Sequence, residues 1–342
     1  MTILVLGLVA WKLHSSHFDW SAFWAACRGV DWRLLILATL ILYTNFLFRA
    51  ARWAVFLKPA LPPGKRFNWW QLAGSQFIGF AGLAALGRVG ELIRPYLVSR
   101  RTGLPFSSQV AVVAVERIFD LGAFGVLFAG NLLLSPGLKA LPYSSKYHLF
   151  GFAIAGIIAF LSLFVALIRF AGASLARIAG RAVGRFSPSA GAATSAKILE
   201  FRDGLDTIDS PADFALAAVY SLLTWVAIAA SYIVTMRAFP PPVHGLTPAY
   251  AVLLLGFSVV GGVVQLPGIG GGAQLLTITA LTVLFGIPKE IATSAGMILW
   301  FITSMSVVLP GLLFARAEQV SLRSVARQSG QAERQAEAHP VH

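Results

Sequence analysis

The 342-residue chain has one cysteine, Cys27, which excludes an intrachain disulfide and a thiolate metal cluster. Charge is scarce as well: Asp, Glu, Lys and Arg make up 12% of the residues, about half of what a soluble domain carries. Acidic residues are the scarcest, 14 against 27 Lys plus Arg, and the net charge is +13. The basic residues fall in loops between apolar runs, with no aromatic-studded soluble domain around them, so nucleic acid is not expected as a partner. Metal-binding His spacing, paired-carboxylate motifs and a Ser-His-Asp set are also missing from the sequence. No metal and no cofactor is expected.

What the sequence has in excess is apolar material. Hydrophobic residues are 57% of the chain and the mean hydropathy is +0.75, more than a soluble core of this size uses. An all-α polytopic membrane protein is the expected fold class. Runs able to cross about 30 Å of hydrocarbon are Leu34–Leu57, Ser107–Leu134, His148–Arg169, Asp213–Met236 and Ile291–Phe314. The shorter run Met1–Leu13 makes a sixth and lacks the basic start and cleavage site of a secretory signal. Trp32, Trp53, Trp69 and Trp70 stand at the ends of apolar runs, where interfacial anchors sit.

Two further regions, 69–101 and 249–285, each join an apolar helix to an arm too short to cross alone, through a Gly-rich break. They are expected to be re-entrant helical hairpins. Displacing the sequence by 183 positions aligns Gly79 with Gly262, Gly87 with Gly270, Leu92 with Leu275, Gly103 with Gly286 and Pro105 with Pro288. With both hairpins re-entrant, one membrane face collects fifteen Lys and Arg, from 58–68, 100–106, 169–212 and the stretch after 315, and the other face seven. The richer face is cytoplasmic by the positive-inside rule, which places both termini on the inside of a bacterial cytoplasmic (inner) membrane. The hairpins then enter from opposite faces, an inverted-topology repeat of the kind transporters use. The expected architecture is one transmembrane domain over 1–315, with about six spanning helices, two hairpins and a basic cytoplasmic loop at 170–212, followed by a disordered cytoplasmic tail over 316–342.

Five basic residues, Arg49, Arg52, Arg88, Arg94 and Arg117, lie in or beside the apolar segments, accompanied by Glu91, Glu116 and Asp120. A spacing of three puts Arg88, Glu91 and Arg94 on one helical face, so Glu91 can pair with either arginine; Arg117 and Asp120 can pair likewise, and Arg49 and Arg52 share a face. An unpaired arginine near the bilayer centre costs roughly 2.5 to 3.5 kcal/mol on insertion scales. These groups therefore pair, fix helix register, snorkel to the interface or line a wet cavity. Five arginines against three acids leave positive charge, and a guanidinium grips a phosphate through two parallel hydrogen bonds. A lipid phosphate is the ligand that fits.

In the second hairpin, Q-L-P-G-I-G-G-G-A-Q (Gln265–Gln274), glycines can bare backbone N–H groups to an anion at a half-helix N-terminus or simply allow a sharp bend. Gly268, Gly270 and Gln274 are the candidate ligand-binding residues there. Arg177, Arg181 and Arg185 follow at four-residue steps, with Leu175, Ile178, Ala182 and Phe186 on another side. That is the pattern of a basic amphipathic helix on the inner leaflet, or of a solvated linker.

Together G-R-V-G-E-L-I-R-P-Y (87–96), the G-L-P turn at 103–105, V-E-R-I-F-D (115–120), R-A-A-R-W (49–53) and L-P-G-I-G (266–270) resemble the transmembrane-region family of lysylphosphatidylglycerol synthase, flippase-like membrane proteins. The resemblance runs from about residue 34 to residue 314. Its most specific part is the G-E-x-x-R and E-R-x-x-D pair, matched by Glu91, Arg94, Glu116, Arg117 and Asp120. It implies a polytopic domain that translocates lipids, aminoacylated phosphatidylglycerol in the best-known relatives. The family's second hairpin usually ends in Glu, with an Arg in the following helix; Gln274 and Trp300 stand there in this chain, which removes the carboxylate an ion-coupled step would use. No soluble aminoacyl-transferring domain is expected after residue 315, so synthesis of such a lipid would fall to a separate enzyme.

The expected function is lipid translocation rather than catalysis, with membrane phospholipids as partners and Arg94 or Arg117 meeting the headgroup phosphate. One alternative is a membrane-embedded lipid-modifying enzyme, for which H-S-S-H-F-D (His14–Asp19) offers a His-x4-Asp pattern whose Asp would orient the His to deprotonate a hydroxyl. Another is a non-catalytic scaffold for envelope-lipid synthesis, working through the basic loop.

Overall fold

The computed structural model describes residues 18–60, 68–140, 144–204, 210–262, 265–266 and 270–318. The N-terminal run Met1–Leu13, Gly268 and the stretch after residue 318 lie outside the described residues. The fold is all-helical, as the composition demands: α1 (Trp20–Arg28), α2 (Trp32–Leu57), α3 (Trp69–Leu86), α4 (Ile93–Thr102), α5 (Phe106–Leu134), α6 (Ser144–Gly184), α7 (Pro188–Gly204), α8 (Pro211–Ala238), α9 (Pro248–Gly261), α10 (Gly272–Val283), α11 (Lys289–Trp300) and α12 (Val308–Ala317). The exception is a short antiparallel pairing of β1 (Gln265–Leu266) with β2 (Gly270–Gly271). The chain divides into two compact units, one of residues 1–42, 135–144 and 228–306, the other of 43–134, 145–227 and 307–342.

Among the described residues, three helical stretches are long and apolar enough to cross a membrane: Trp32–Ala60, Pro211–Ala238 and Lys289–Ala317. The third is α11 and α12 joined by a π-helical turn at Phe301–Met305. Each rises about 42 Å, more than the roughly 30 Å hydrocarbon layer. Leu40 on α2, Val219 on α8 and Leu309 on α12 are exposed, as lipid-facing side chains of a multi-pass membrane protein are.

In the second unit, α3 and α4 fold back on one another through a 3-10 turn at Gly87–Leu92. Gly87 opens the turn with φ of 66°, which only glycine adopts without strain. Close approach follows: a Cβ on Gly90 would collide with the Gly82 backbone, and one on Gly79 would press on the Arg94 side chain. At the open end, Arg101 of α4 donates to the Gln71 carbonyl and the Ser75 hydroxyl of α3 and pairs with Glu318 beyond α12. α12 lies on α3, where Phe314 stacks on Phe77 with centroids 5.4 Å apart. At the same open end, Trp53 and Leu57 of α2, Leu72 of α3, Val98 of α4, Val112 of α5 and Ala217 of α8 form a buried apolar cluster.

The first unit repeats the device with α9 and α10. Tyr250 and Phe285 stack at its open end, centroids 4.9 Å apart, and a Cβ on Gly261 would collide with Gly272 at the break. Gly103 and Gly286, aligned by the 183-residue displacement, have φ of 76° and 65°.

Within the basic stretch 170–212, the chain is helical up to Gly184 and again over Pro188–Gly204. α6 runs unbroken for 41 residues, and α7 packs back on its distal part, with the Ser195 hydroxyl donating to the Ala176 carbonyl (2.8 Å).

Gly90→Ala should lower the apparent melting temperature of the purified protein by several degrees, since overpacking costs about 1 to 3 kcal/mol. Gly122→Ala, on α5 with open space around it, should leave it within a degree or so of wild type; equal melting temperatures for the two variants would contradict the close hairpin approach.

Candidate functional site

Charged side chains from α2, α4 and α5 meet inside the second unit. On α5, Glu116 and Asp120 are four residues apart and therefore share a face; Arg49 and Arg52 on α2 turn toward them. Arg52 Nη2 lies 2.5 Å from Glu116 Oε1 and its Nη1 2.7 Å from Asp120 Oδ1. Arg49 Nη1 lies 2.8 Å from Asp120 Oδ2 and 3.5 Å from Glu116 Oε1. From the hairpin, Arg94 Nη1 comes within 2.7 Å of Glu116 Oε2. All five are buried, with Arg52 at 0% and Glu116 at 2% relative exposure.

Neutral groups complete the setting. Asn45 Oδ1 accepts from Arg49 Nε (3.2 Å), Gln76 Oε1 from Arg94 Nη1 (3.0 Å) and Ser221 Oγ from Arg52 Nη1 (2.6 Å). The Arg94 guanidinium lies over the rings of Trp53 and Phe80, 4.6 and 5.3 Å from their centroids, a favourable cation–π placement. Three guanidiniums face two carboxylates, so one positive charge is left over. Two buried donors, Arg52 Nε and Gln76 Nε2, have no hydrogen-bond partner. The cluster is thus cationic and closed to bulk solvent, and unpartnered donors in such low dielectric are chemistry suited to an anion.

Residues 1–311 match the family model described as the lysylphosphatidylglycerol synthase TM region. The chain belongs to that family. It is also 31% identical over 132 residues to glycosyltransferase AglD of Haloferax volcanii, a match that covers 37% of this chain and 21% of that protein. The chain thus spans about a fifth of that relative's length.

The family's G-E-x-x-R and E-R-x-x-D residues all take part, but not in the pairs expected from spacing. Glu91 pairs with Arg117 across the hairpin and α5, not with Arg94. Asp120 takes Arg49 and Arg52, not Arg117. The backbone passes from 3-10 to α-helix between Leu92 and Ile93, which separates Glu91 from Arg94. A buried carboxylate must be answered by buried donors, whereas Glu91 and Arg117 are both partly exposed. The side chain of Arg88 lies outside the described residues. Trp53, expected as an interfacial anchor, is a core residue at 1% exposure beneath Arg94; Trp32, Trp69 and Trp70 are exposed.

Gly270 and Gln274 belong to the other unit, where Gln274 Oε1 accepts from the Gly271 N–H at 2.5 Å. One of the N–H groups expected to meet an anion is therefore already held within the break. Asp19 is a helix cap: its Oδ1 accepts from the Ser21 and Ala22 N–H groups at 2.8 and 3.1 Å. The His14 side of the His-x4-Asp pattern lies outside the described residues. Among the described residues, no group of three His, Cys, Asp or Glu is placed to hold a metal. Gln76, Asn45, Ser221 and Phe80 were not among the sequence candidates. An amide inside an apolar run was the available signal for Gln76 and Asn45; nothing local marks Ser221.

Removing one carboxylate of the buried group, as in Asp120→Asn or Glu116→Gln, should destabilise by about 3 to 5 kcal/mol, while Glu91→Gln should cost about 1 kcal/mol or less. Denaturant melts of the three variants check the order. Equal costs would contradict the division into a buried cluster and a rim pair.

Proposed function

We propose that the protein translocates a lipid with a phosphate headgroup between the leaflets of a bacterial cytoplasmic membrane. The observation that carries this reading is the single excess guanidinium in the buried Arg49, Arg52, Arg94, Glu116 and Asp120 group, with unpartnered donors on Arg52 and Gln76. Register or stability alone does not call for a surplus of buried charge. An anionic headgroup would neutralise it. Arg117, half exposed beside Glu91, offers the first contact at the rim, and its bond to Glu91 is exchanged for one to the phosphate.

Membership of a family named for the lysylphosphatidylglycerol synthase TM region supports a lipid cargo, with aminoacylated phosphatidylglycerol as one member of the class. Phospholipids are then the partners, with a lipid-synthesising enzyme as a further one. In this reading α3–α4 and α9–α10 are re-entrant hairpins in an inverted-topology repeat. Support comes from the meeting of each hairpin's two ends, the matched left-handed Gly103 and Gly286 and the fifteen-to-seven basic asymmetry, which puts both termini on the cytoplasmic side. The protein acts without covalent chemistry. A second reading, a membrane-embedded lipid-modifying activity, draws on the similarity to a glycosyltransferase; product formed from radiolabelled lipid by the purified protein would favour it.

Purified protein in vesicles should move a fluorescent phosphatidylglycerol analogue from the inner to the outer leaflet. Gln76→Glu, which cancels the surplus charge, should slow this at least about tenfold while the protein stays folded, and Arg117→Gln should slow it less. Absence of transfer by the wild type, or wild-type rates in Gln76→Glu, would contradict the proposal.

A further inference from the structure

α6 is 41 residues long, about 60 Å at 1.5 Å per residue, which is twice the hydrocarbon thickness. Its run His148–Arg169 is by sequence apolar and long enough for a crossing; the helix then continues unbroken to Gly184 before Arg185–Ser187 turn the chain into α7. A Cβ on Gly191 would meet the Gly180 carbonyl at 2.5 Å and Gly184 Cα at 2.7 Å, so the distal part of α6 and the start of α7 form a tight two-helix post. Arg177, Arg181 and Arg185 are exposed along one side of it. At the tip Phe186 is 93% exposed.

The geometry of the helix decides what such a ridge can reach. Arg185 lies sixteen residues past Arg169, about 24 Å along the axis, and the headgroup layer takes up about 6 Å of that. The remaining distance of about 18 Å is two Debye lengths at physiological salt. A tilt of about 40° still leaves more than one. An anionic leaflet attracts Arg177 near the base but not the tip. Exposed arginines around a bare aromatic ring are the composition of an interface centre, and their charge selects an acidic counterpart.

We propose that the α6–α7 post is a docking site for a soluble or peripheral protein that presents an acidic face, with Phe186 as the apolar anchor and Arg177, Arg181 and Arg185 as the charge ridge. The proposal does not depend on lipid translocation, only on α6 crossing the membrane.

The test places the photo-crosslinking residue benzoylphenylalanine at position 186 of the full-length chain, irradiated in native membranes that retain their peripheral proteins, with the linked peptide identified by mass spectrometry. The expected result is a protein adduct mapped to an acidic stretch, its yield falling about tenfold in both R177E/R181E/R185E and R177Q/R181Q/R185Q and also at high salt. The helical signal and monodispersity of both variants should match wild type. Lipid adducts alone, no adduct, or a protein adduct indifferent to the arginines would overturn the proposal.

Discussion

Inside an apolar unit, three arginines share two carboxylates, and the hairpin packing is arranged around that fact. A guanidinium cannot shed its proton to escape burial, so Arg49, Arg52 and Arg94 must be answered where they stand. Glu116 and Asp120 sit one helical turn apart on α5 and accept from both α2 and α4. Through Gln76 and Ser221 the same group reaches α3 and α8. The ten-residue α4 buries Ile93 and Leu97 against Ile78 and Ala315, and Val98 in the cluster at the open end. Arg94 holds it through Glu116 and the Trp53 and Phe80 rings, and Arg101 fixes its far end to α3 and Glu318.

Glycine makes that anchoring sterically possible. The arms of the hairpin approach so closely at Gly79, Gly82 and Gly90 that side chains there would displace Arg94 or the bend itself. Small residues give membrane helices their closest packing because lipid supplies no hydrophobic drive for them to associate. A bend at Gly87–Leu92 built this way leaves Glu91 and Arg117 at the rim and the cationic surplus behind them. Rim and interior differ in energy as well as in place: a partly exposed pair exchanges partners at little cost, and the buried one does not.

Much of this was legible in the sequence because composition and spacing are strong signals in a membrane protein. The breaks that end α3 and α9 are visible as Gly-rich stretches between an apolar run and a short arm; that these helix pairs re-enter the membrane belongs to the proposed function. Arg49 and Arg52 could be placed on one face by their three-residue spacing, and both reach the same two carboxylates. Pairing within a helix, however, was the wrong guide: local spacing offered Glu91 to Arg94, whereas burial draws Arg94 to Glu116 on another helix. Trp53 misled for a related reason, since the end of an apolar run looks alike whether it faces headgroups or a neighbouring arginine. The length of α6 was hidden because Arg177, Arg181 and Arg185 break the apolar run without breaking the helix.

Under the proposed function, the one uncompensated positive charge of the buried cluster holds an anionic lipid against it. Native mass spectrometry of the protein, released gently from detergent, measures this directly. A stoichiometric anionic phospholipid should survive purification with the wild type. Retention of zwitterionic lipid only, or of no lipid at all, would contradict it.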